Sequence, residues 1–386
     1  MQHSGRTYWF PMVLFTLVLL VGIDLLAGLL LIPVDLHDFR SSHPYFHHSL
    51  LPMRKQTTAW GPINYEMSTN SLGFRDFKPR EMSLQSDQYR LLLMGDSHTE
   101  GVGVAYDESF AGALQQSLEE EGIEVLNASA VSYSPKLYYL KTRYLLEELQ
   151  LDFDALYVFL DISDVQNEYA YESFLPYRFN TFLQLKYGLE RWFRENSFIY
   201  YSLRKIWMAQ KREAFYRQVT QSQIEHNNTV DLYYTFFKDL QNPELLNNPD
   251  FHTSVSAWYS DRSLYRQWGR KGSEMMTFYM AKLVDLCYEH DIPITISVHP
   301  WRSQVREGVV EDLHVKHWQR FSAQNEVKFI NLYSLFVGQG DADSVITANY
   351  ISQDNHWNAQ GHRKVAEHLL KTIKKEASQA VAGMNH

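Results

Sequence analysis

A single cysteine, Cys287, stands among 386 residues, which excludes an internal disulfide framework, a cysteine-rich zinc module and an iron–sulfur centre. It leaves the compartment open, because an exported protein can lack disulfides. With 18 glycines and 12 prolines, the chain has too few of either for a collagen-like repeat. Hydrophobic residues at 45% and charged residues at 21% exclude a disordered chain, and the length allows one or two domains. Positive charge is short as well: Lys+Arg number 36 against 45 Asp+Glu, a net charge of −9, so no nucleic-acid partner is expected. Aromatics, at 15%, are plentiful, and their excess is local.

Trp9 to Ile32 reads WFPMVLFTLVLLVGIDLLAGLLLI, apolar except for Thr16 and Asp24. Such a run, at about 1.5 Å per residue, spans about 36 Å and crosses a bilayer with some tilt. Residues 1–8 form a short tail before it. The segment after Ile32, Pro33-Val34-Asp35-Leu36, is a poor signal-peptidase site, so an uncleaved single-pass anchor over residues 9–32 is expected. Basic residues flank the run on both sides (Arg6 before it, Arg40, Arg54 and Lys55 after), so the positive-inside rule does not orient it. A signal-anchor with the large domain outside the cytoplasm, as in a periplasm, is the expectation. Asp24 costs about 3 kcal/mol within such a span and either tilts toward an interface or pairs with another membrane helix.

Residues 35–86 are rich in His-Pro, Gly-Pro and Ser/Thr clusters and read as a loop-rich lead-in that wraps the domain. From 87 to 386 an α/β alternation follows. Strands are expected at Tyr89–Met94, Ile123–Leu126, Ala155–Leu160, Ile292–Val298 and Val327–Leu332. Helices are expected at Phe110–Glu120, Lys136–Leu149, Met275–His290, Asp312–Gln324 and Ala359–Ala377. Strands alternating with helices imply a parallel sheet covered on both faces, with ligands at the carboxyl ends of the strands.

An insertion at about 166–273 breaks the alternation. Between Arg178 and Arg217 it carries nine Lys/Arg against Glu190, Glu195 and Glu213, interleaved with eleven aromatics. This stretch reads either as a helical cap on the core or as a surface for anionic lipid, glycan or a protein partner.

Gly95-Asp96-Ser97-His98-Thr99-Glu100-Gly101 follows the first expected strand directly. A serine at a strand-to-helix turn presents its hydroxyl at the rim of the sheet and its own amide toward a developing oxyanion. A serine nucleophile needs a base. Asp354-Asn355-His356-Trp357-Asn358, just before the last helix, places a carboxylate two residues ahead of an imidazole. Asp354 can orient His356, and His356 can carry the serine proton. Asp161, Asp164 and Glu168 read as polar rim residues rather than metal ligands, and Asp354, His356 and His362 show no open-site metal pattern, so no metal or other cofactor is expected. His98, and Trp301 and Trp357 with ring faces suited to a sugar, are candidate substrate contacts; Asn70–Arg75 is a structural turn.

GDSHTEG with a distant DNHWNAQGH resembles the SGNH (GDSL-type) hydrolase superfamily over roughly residues 88–165 and 275–375. The Asp-x-His-Trp form also resembles membrane-anchored or periplasmic members that act on polysaccharide O-acetyl groups, including the alginate acetylation proteins. The resemblance implies a flavodoxin-like three-layer sheet and ester chemistry through an acyl-serine. It implies Ser97 as nucleophile and first oxyanion donor, with Asp354 and His356 completing the triad. Ser132 stands where the family's glycine donates a backbone N–H. Ser163, in Asp161-Ile162-Ser163-Asp164, stands where the family has its oxyanion asparagine. Loss of one such donor costs about 10²–10³ in rate, so the Ser163 hydroxyl substitutes, Asn167 or another group serves, or catalysis is weak. The expected activity is hydrolysis of O-acyl, chiefly O-acetyl, esters on a cell-surface glycan. The alternatives are O-acetyl transfer through the same triad and a non-catalytic role with a membrane-protein or polysaccharide-assembly partner.

Overall fold

The computed structural model describes residues 9–32, 39–172, 174–176, 181–207, 210 and 257–384. Helix α1 (Trp9–Leu31), apolar except for Thr16 and Asp24, has mean hydropathy 2.6 and is long enough to cross a membrane. Two antiparallel hairpins follow where only loops are expected: β1 (Arg40–His43) with β2 (His47–Leu50), and β3 (Lys55–Trp60) with β4 (Ile63–Ser68). Their short strands carry few apolar residues, so hydrophobic periodicity does not reveal them. Neither hairpin joins the main sheet.

The main sheet has β5 (Tyr89–Met94), β6 (Ile123–Asn127), β7 (Ala155–Leu160), β8 (Ile294–Val298) and β9 (Lys328–Asn331). All pairings are parallel, in the order β6-β5-β7-β8-β9. This is the doubly wound, flavodoxin-like order, as expected. Strand β7, and β5 from Leu91 on, read as unbroken apolar runs because both their faces are covered, and Leu91 through Met94 and Leu156 through Leu160 are buried. Each such side chain contributes about 1.5–3 kcal/mol on burial.

Between the strands run α2 (Ser97–Glu100), α3 (Phe110–Leu118), α4 (Pro135–Arg143) and α5 (Asp164–Ala170). The insertion supplies α6 (Thr181–Asn196) and α7 (198–207). The chain closes with α8 (Arg270–Glu289), α9 (Arg302–Glu307), α10 (Leu313–Gln324), α11 (Ala342–Asn349) and α12 (Ala359–Met384). Helix α3 packs on α12 and α4 on α8; right-handed crossovers put the two pairs on opposite faces. The expected helix at Lys136–Leu149 ends its α-form at Arg143 and finishes in a π turn over Tyr144–Glu148. Of the insertion's nine basic residues, Arg178, Lys211, Arg212 and Arg217 lie outside the described residues.

Candidate active site

Strand β5 delivers Gly95-Asp96-Ser97 at its carboxyl end, and the chain turns at once into α2. A Cβ on Gly95 would stand 2.2 Å from Thr99 Oγ1, so only glycine lets the turn close this tightly. Asp96 caps α2, its side chain accepting from the His98 N–H at 3.0 Å. The helix is one turn long, so little macrodipole develops; the Ser97 N–H itself, lacking an intrahelical acceptor, is the useful donor.

The turn is braced from below. Arg75, fully buried, donates to the carbonyls of Glu100 (2.6 Å), Gly101 and Val104 (2.5 Å). The Asn70–Arg75 turn is therefore structural in a specific way: it holds the far end of α2. Glu100, also buried, accepts from Arg40 at 2.5 Å and from the Val131 N–H at 2.8 Å. The latter contact, with Ala130 N–H to Gly95 O at 3.4 Å, ties the loop after β6 to the Gly95–Ser97 turn. In that loop Ser132 adopts φ +62, and no hydrogen bond from its N–H is found among the described residues.

The loop before α12 brings His356 to Ser97. Tyr350 and Trp357 bridge antiparallel, and Ile351 N–H donates to His356 O at 2.9 Å, closing a tight loop. Asn358 fixes its base: its side-chain amide donates to Ala348 O and Tyr350 O, while its oxygen accepts from the N–H groups of Gln360 and Gly361. Within the loop Asp354 Oδ1 accepts from the His356 N–H (2.9 Å) and lies 2.5 Å from His356 Nδ1. His356 Nε2 lies 2.8 Å from Ser97 Oγ. With Nδ1 protonated toward Asp354, Nε2 is an acceptor for the Ser97 hydroxyl. Ser97 Oγ also stands 3.3 Å from Asp96 Oδ2, a longer contact.

The hairpin β3–β4 contributes a residue that the sequence reading misses. Its Gly61-Pro62 turn sets Trp60 at the tip, where Nε1 donates to Asp354 Oδ2 at 2.7 Å. The same ring meets His356 edge-on, with centroids 4.8 Å apart. Both oxygens of Asp354 are thereby occupied, one by His356 and one by Trp60.

Beneath His356 lies a buried polar cluster. The His98 ring stacks on His356 at 4.4 Å and Nε2 of His98 bonds Asn355 O at 3.0 Å. Its Nδ1 lies 3.4 Å from Asp161 Oδ2 and 3.7 Å from Asp96 Oδ1. Burial alone would lower the His98 pKa, but hydrogen bonding and charge from Asp161 and Asp96 raise it to about 10. Burial would raise Asp161, but its bond to His98 and that charge hold it well below the usual carboxylate range. Asp96 is shifted up by burial and by Asp161. His299 lies between His98 and Trp357 with its ring tilted against both, and burial and the nearby His98 push its pKa well down. Potential ligand atoms of Asp96, His98, Asp161 and His299 lie within 4.8 Å of one another. The carboxyl groups of Asp96 and Asp161 both face the His98 ring.

Three expected substrate contacts are corrected by burial. Trp357 is fully enclosed, packed against His98, Phe336 and His362. Trp301 is buried and donates through Nε1 to Asp161 Oδ2 at 2.9 Å. His98 is buried in the cluster just described. All three shape the site from behind. Asp161, Asp164 and Glu168 are likewise core residues rather than rim: Asp164 accepts from Tyr138 OH (3.1 Å) and Glu168 from the Lys136 N–H (2.6 Å). Ser163 spends both its donors on one atom, with N and Oγ at 2.6 and 2.7 Å from Asp161 Oδ1. A cavity of about 410 Å³ at the opposite end of the strands, lined by Tyr157, Tyr288 and Lys328 among others, holds none of the triad residues.

No family model matches the chain, and no curated protein matches it in sequence. Among solved structures it is similar to a lipolytic G-D-S-L family protein from Veillonella parvula, at 12% identity and TM-score 0.37 over 74% of this chain and 98% of that one. It is similar to a psychrotrophic esterase from Pseudoalteromonas sp., at 11% identity and TM-score 0.39 over 75% and 100%. An acetylxylan esterase from Geobacillus stearothermophilus gives 12% identity and TM-score 0.36 over 76% and 96%.

Proposed function

We propose that the protein is a membrane-anchored serine esterase that hydrolyses O-acyl, chiefly O-acetyl, groups of a cell-surface glycan. The observation that carries this reading is the relay Ser97 Oγ, His356 Nε2, His356 Nδ1, Asp354 Oδ1, with successive contacts of 2.8 and 2.5 Å. Ser97 attacks the ester carbonyl as His356 takes its proton. The tetrahedral oxyanion is met by the N–H groups of Ser97 and Ser132. Collapse breaks the bond to the alcohol, which leaves with the proton from His356, and an acyl-serine remains. Water, deprotonated by His356, then releases the acid and restores Ser97. Asp354 stays ionised and stabilises the imidazolium.

The anchor is α1, and the glycan assignment rests on the Asp354-Asn355-His356-Trp357 resemblance together with an anchored position. A sugar hydroxyl in place of water gives O-acetyl transfer by the same steps. A purely assembling role is disfavoured by the relay, since a non-catalytic domain has no use for a serine within 2.8 Å of an oriented imidazole. The test is release of acetate from an acetylated glycan and from p-nitrophenyl acetate by the full chain in detergent, beside Ser97→Ala and His356→Ala. Turnover lost in both variants supports the reading. Turnover equal to wild type in either overturns it, and acetate appearing on an added glycan instead of in solution assigns transfer.

A further inference from the structure

We infer that helices α6 and α7 form a lipid-embedded wedge in the headgroup region of an anionic bilayer, beside the carboxyl-terminal half of α1. The inference rests on the reading of α1 as a membrane anchor. Helix α6 exposes Phe182, Leu185, Leu189, Trp192 and Phe193, a spacing that places all five along one stripe of the helix. Phe182 is 73% exposed. Helix α7 does the same with Ile199, Leu203, Ile206 and Trp207, and Leu203 is 62% exposed. A water-facing helix pair has no reason to keep nine large apolar side chains in solvent.

The occupant is identified by what the pair is attached to. Asp24 of α1 accepts from the Ile199 N–H at 2.7 Å, at the start of α7, so the acid in the apolar helix finds its partner in the insertion and not in another membrane helix. One turn on, Gly28 is buried against the junction; a Cβ there would stand 1.9 Å from Asn196 O. The α6–α7 junction therefore meets α1 at Asp24 and Gly28, which at 1.5 Å per residue lie about 10 and about 5 Å inside the Leu31 end. That is the depth at which amphipathic helices lie in the boundary between headgroups and acyl chains, about 5–10 Å. Beside the junction α1 itself exposes Leu26, Leu29 and Leu30. Lys186 and Lys205, both exposed, flank the apolar stripes and suit anionic headgroups.

The test uses the full chain in vesicles of phosphatidylcholine and phosphatidylglycerol. The native Cys287 is buried, so single exposed positions can be labelled with a polarity-sensitive fluorophore. Leu185→Cys and Leu203→Cys report on the wedge, Val18→Cys on the anchor and Asp343→Cys on water. The labels at 185 and 203 are expected to lose most of their emission to a lipid nitroxide near the headgroup and little to iodide. The label at 18 should respond to a nitroxide deep in the chains, and the label at 343 to iodide alone. Iodide quenching at 185 and 203 with 18 still protected overturns the wedge and leaves the anchor standing. Protection at 185 and 203 from both quenchers overturns it in favour of a protein cover. Iodide quenching at 18 overturns the anchor, and the wedge beside it falls too.

Discussion

Trp60 Nε1 donates to Asp354 Oδ2 at 2.7 Å, so a hairpin outside the main sheet holds the acid of the relay. Removing that donor takes one hydrogen bond away from a buried carboxylate, and a bond to a charged group is worth about 1.5–3 kcal/mol. Carried into the transition state, this is about 10–100-fold in rate. Trp60→Phe keeps the ring beside His356 and removes only the N–H. We expect kcat to fall by about that factor with KM little changed. An unchanged kcat would show that Asp354 is oriented without Trp60.

The two candidate oxyanion serines are expected to behave differently. Ser163 gives both donors to Asp161, so Ser163→Ala should lower kcat by less than about tenfold, well short of the 10²–10³ typical of a lost oxyanion donor. Ser132→Gly keeps the backbone N–H and relieves a left-handed residue at φ +62, so activity should persist and stability rise by up to about 1 kcal/mol. A hundredfold loss in Ser163→Ala would return the oxyanion role to its hydroxyl.

Acid should destabilise the fold from about pH 6.5 downward. Burial holds His43, His47 and His314 down, to about 3, 4 and 3, and His48, His299 and His362 well below their ordinary value. Their native pKa values lie below the unfolded one, so the unfolded state binds more protons and stability falls as pH drops through that window. Glu168, pushed up to about 7 by burial, and Asp96 and Asp164, also raised, act oppositely, but the histidines outnumber them. Denaturant midpoints in detergent at pH 7.5, 6 and 5 should decrease in that order; a flat profile would contradict the buried neutral histidines.

His98 works in the other direction. Its native pKa, about 10, lies above the unfolded value of about 6.5, so its contribution is complete below pH 6.5 and is lost as pH rises toward 10. The slope is at most about 1.4 kcal/mol per pH unit. The stability difference between wild type and His98→Gln should therefore shrink between pH 7 and 9. A difference independent of pH would mean that His98 is neutral.

The sheet was legible in the sequence because its strands are covered on both faces: YRLLLM and ALYVFL match β5 and β7 residue for residue. Ser97, Asp354 and His356 were legible because each sits in a compact motif, Ser97 directly after β5 and the other two in the loop before α12. What escaped was long-range. Trp60 reaches Asp354 across 294 positions, and nothing in KQTTAWGPINYEMS announces a role in catalysis. His98, Trp301 and Trp357 stand beside the motifs, yet burial, which local sequence does not encode, turns them inward to Asp161, His299 and the core.

The central claim is that Ser97 is an activated nucleophile. Intact-mass analysis of the full chain after treatment with a fluorophosphonate, beside Ser97→Ala, tests it most directly. One adduct on the wild type and none on the variant is the predicted result. No adduct on folded wild-type protein, or an equal adduct on Ser97→Ala, would contradict it.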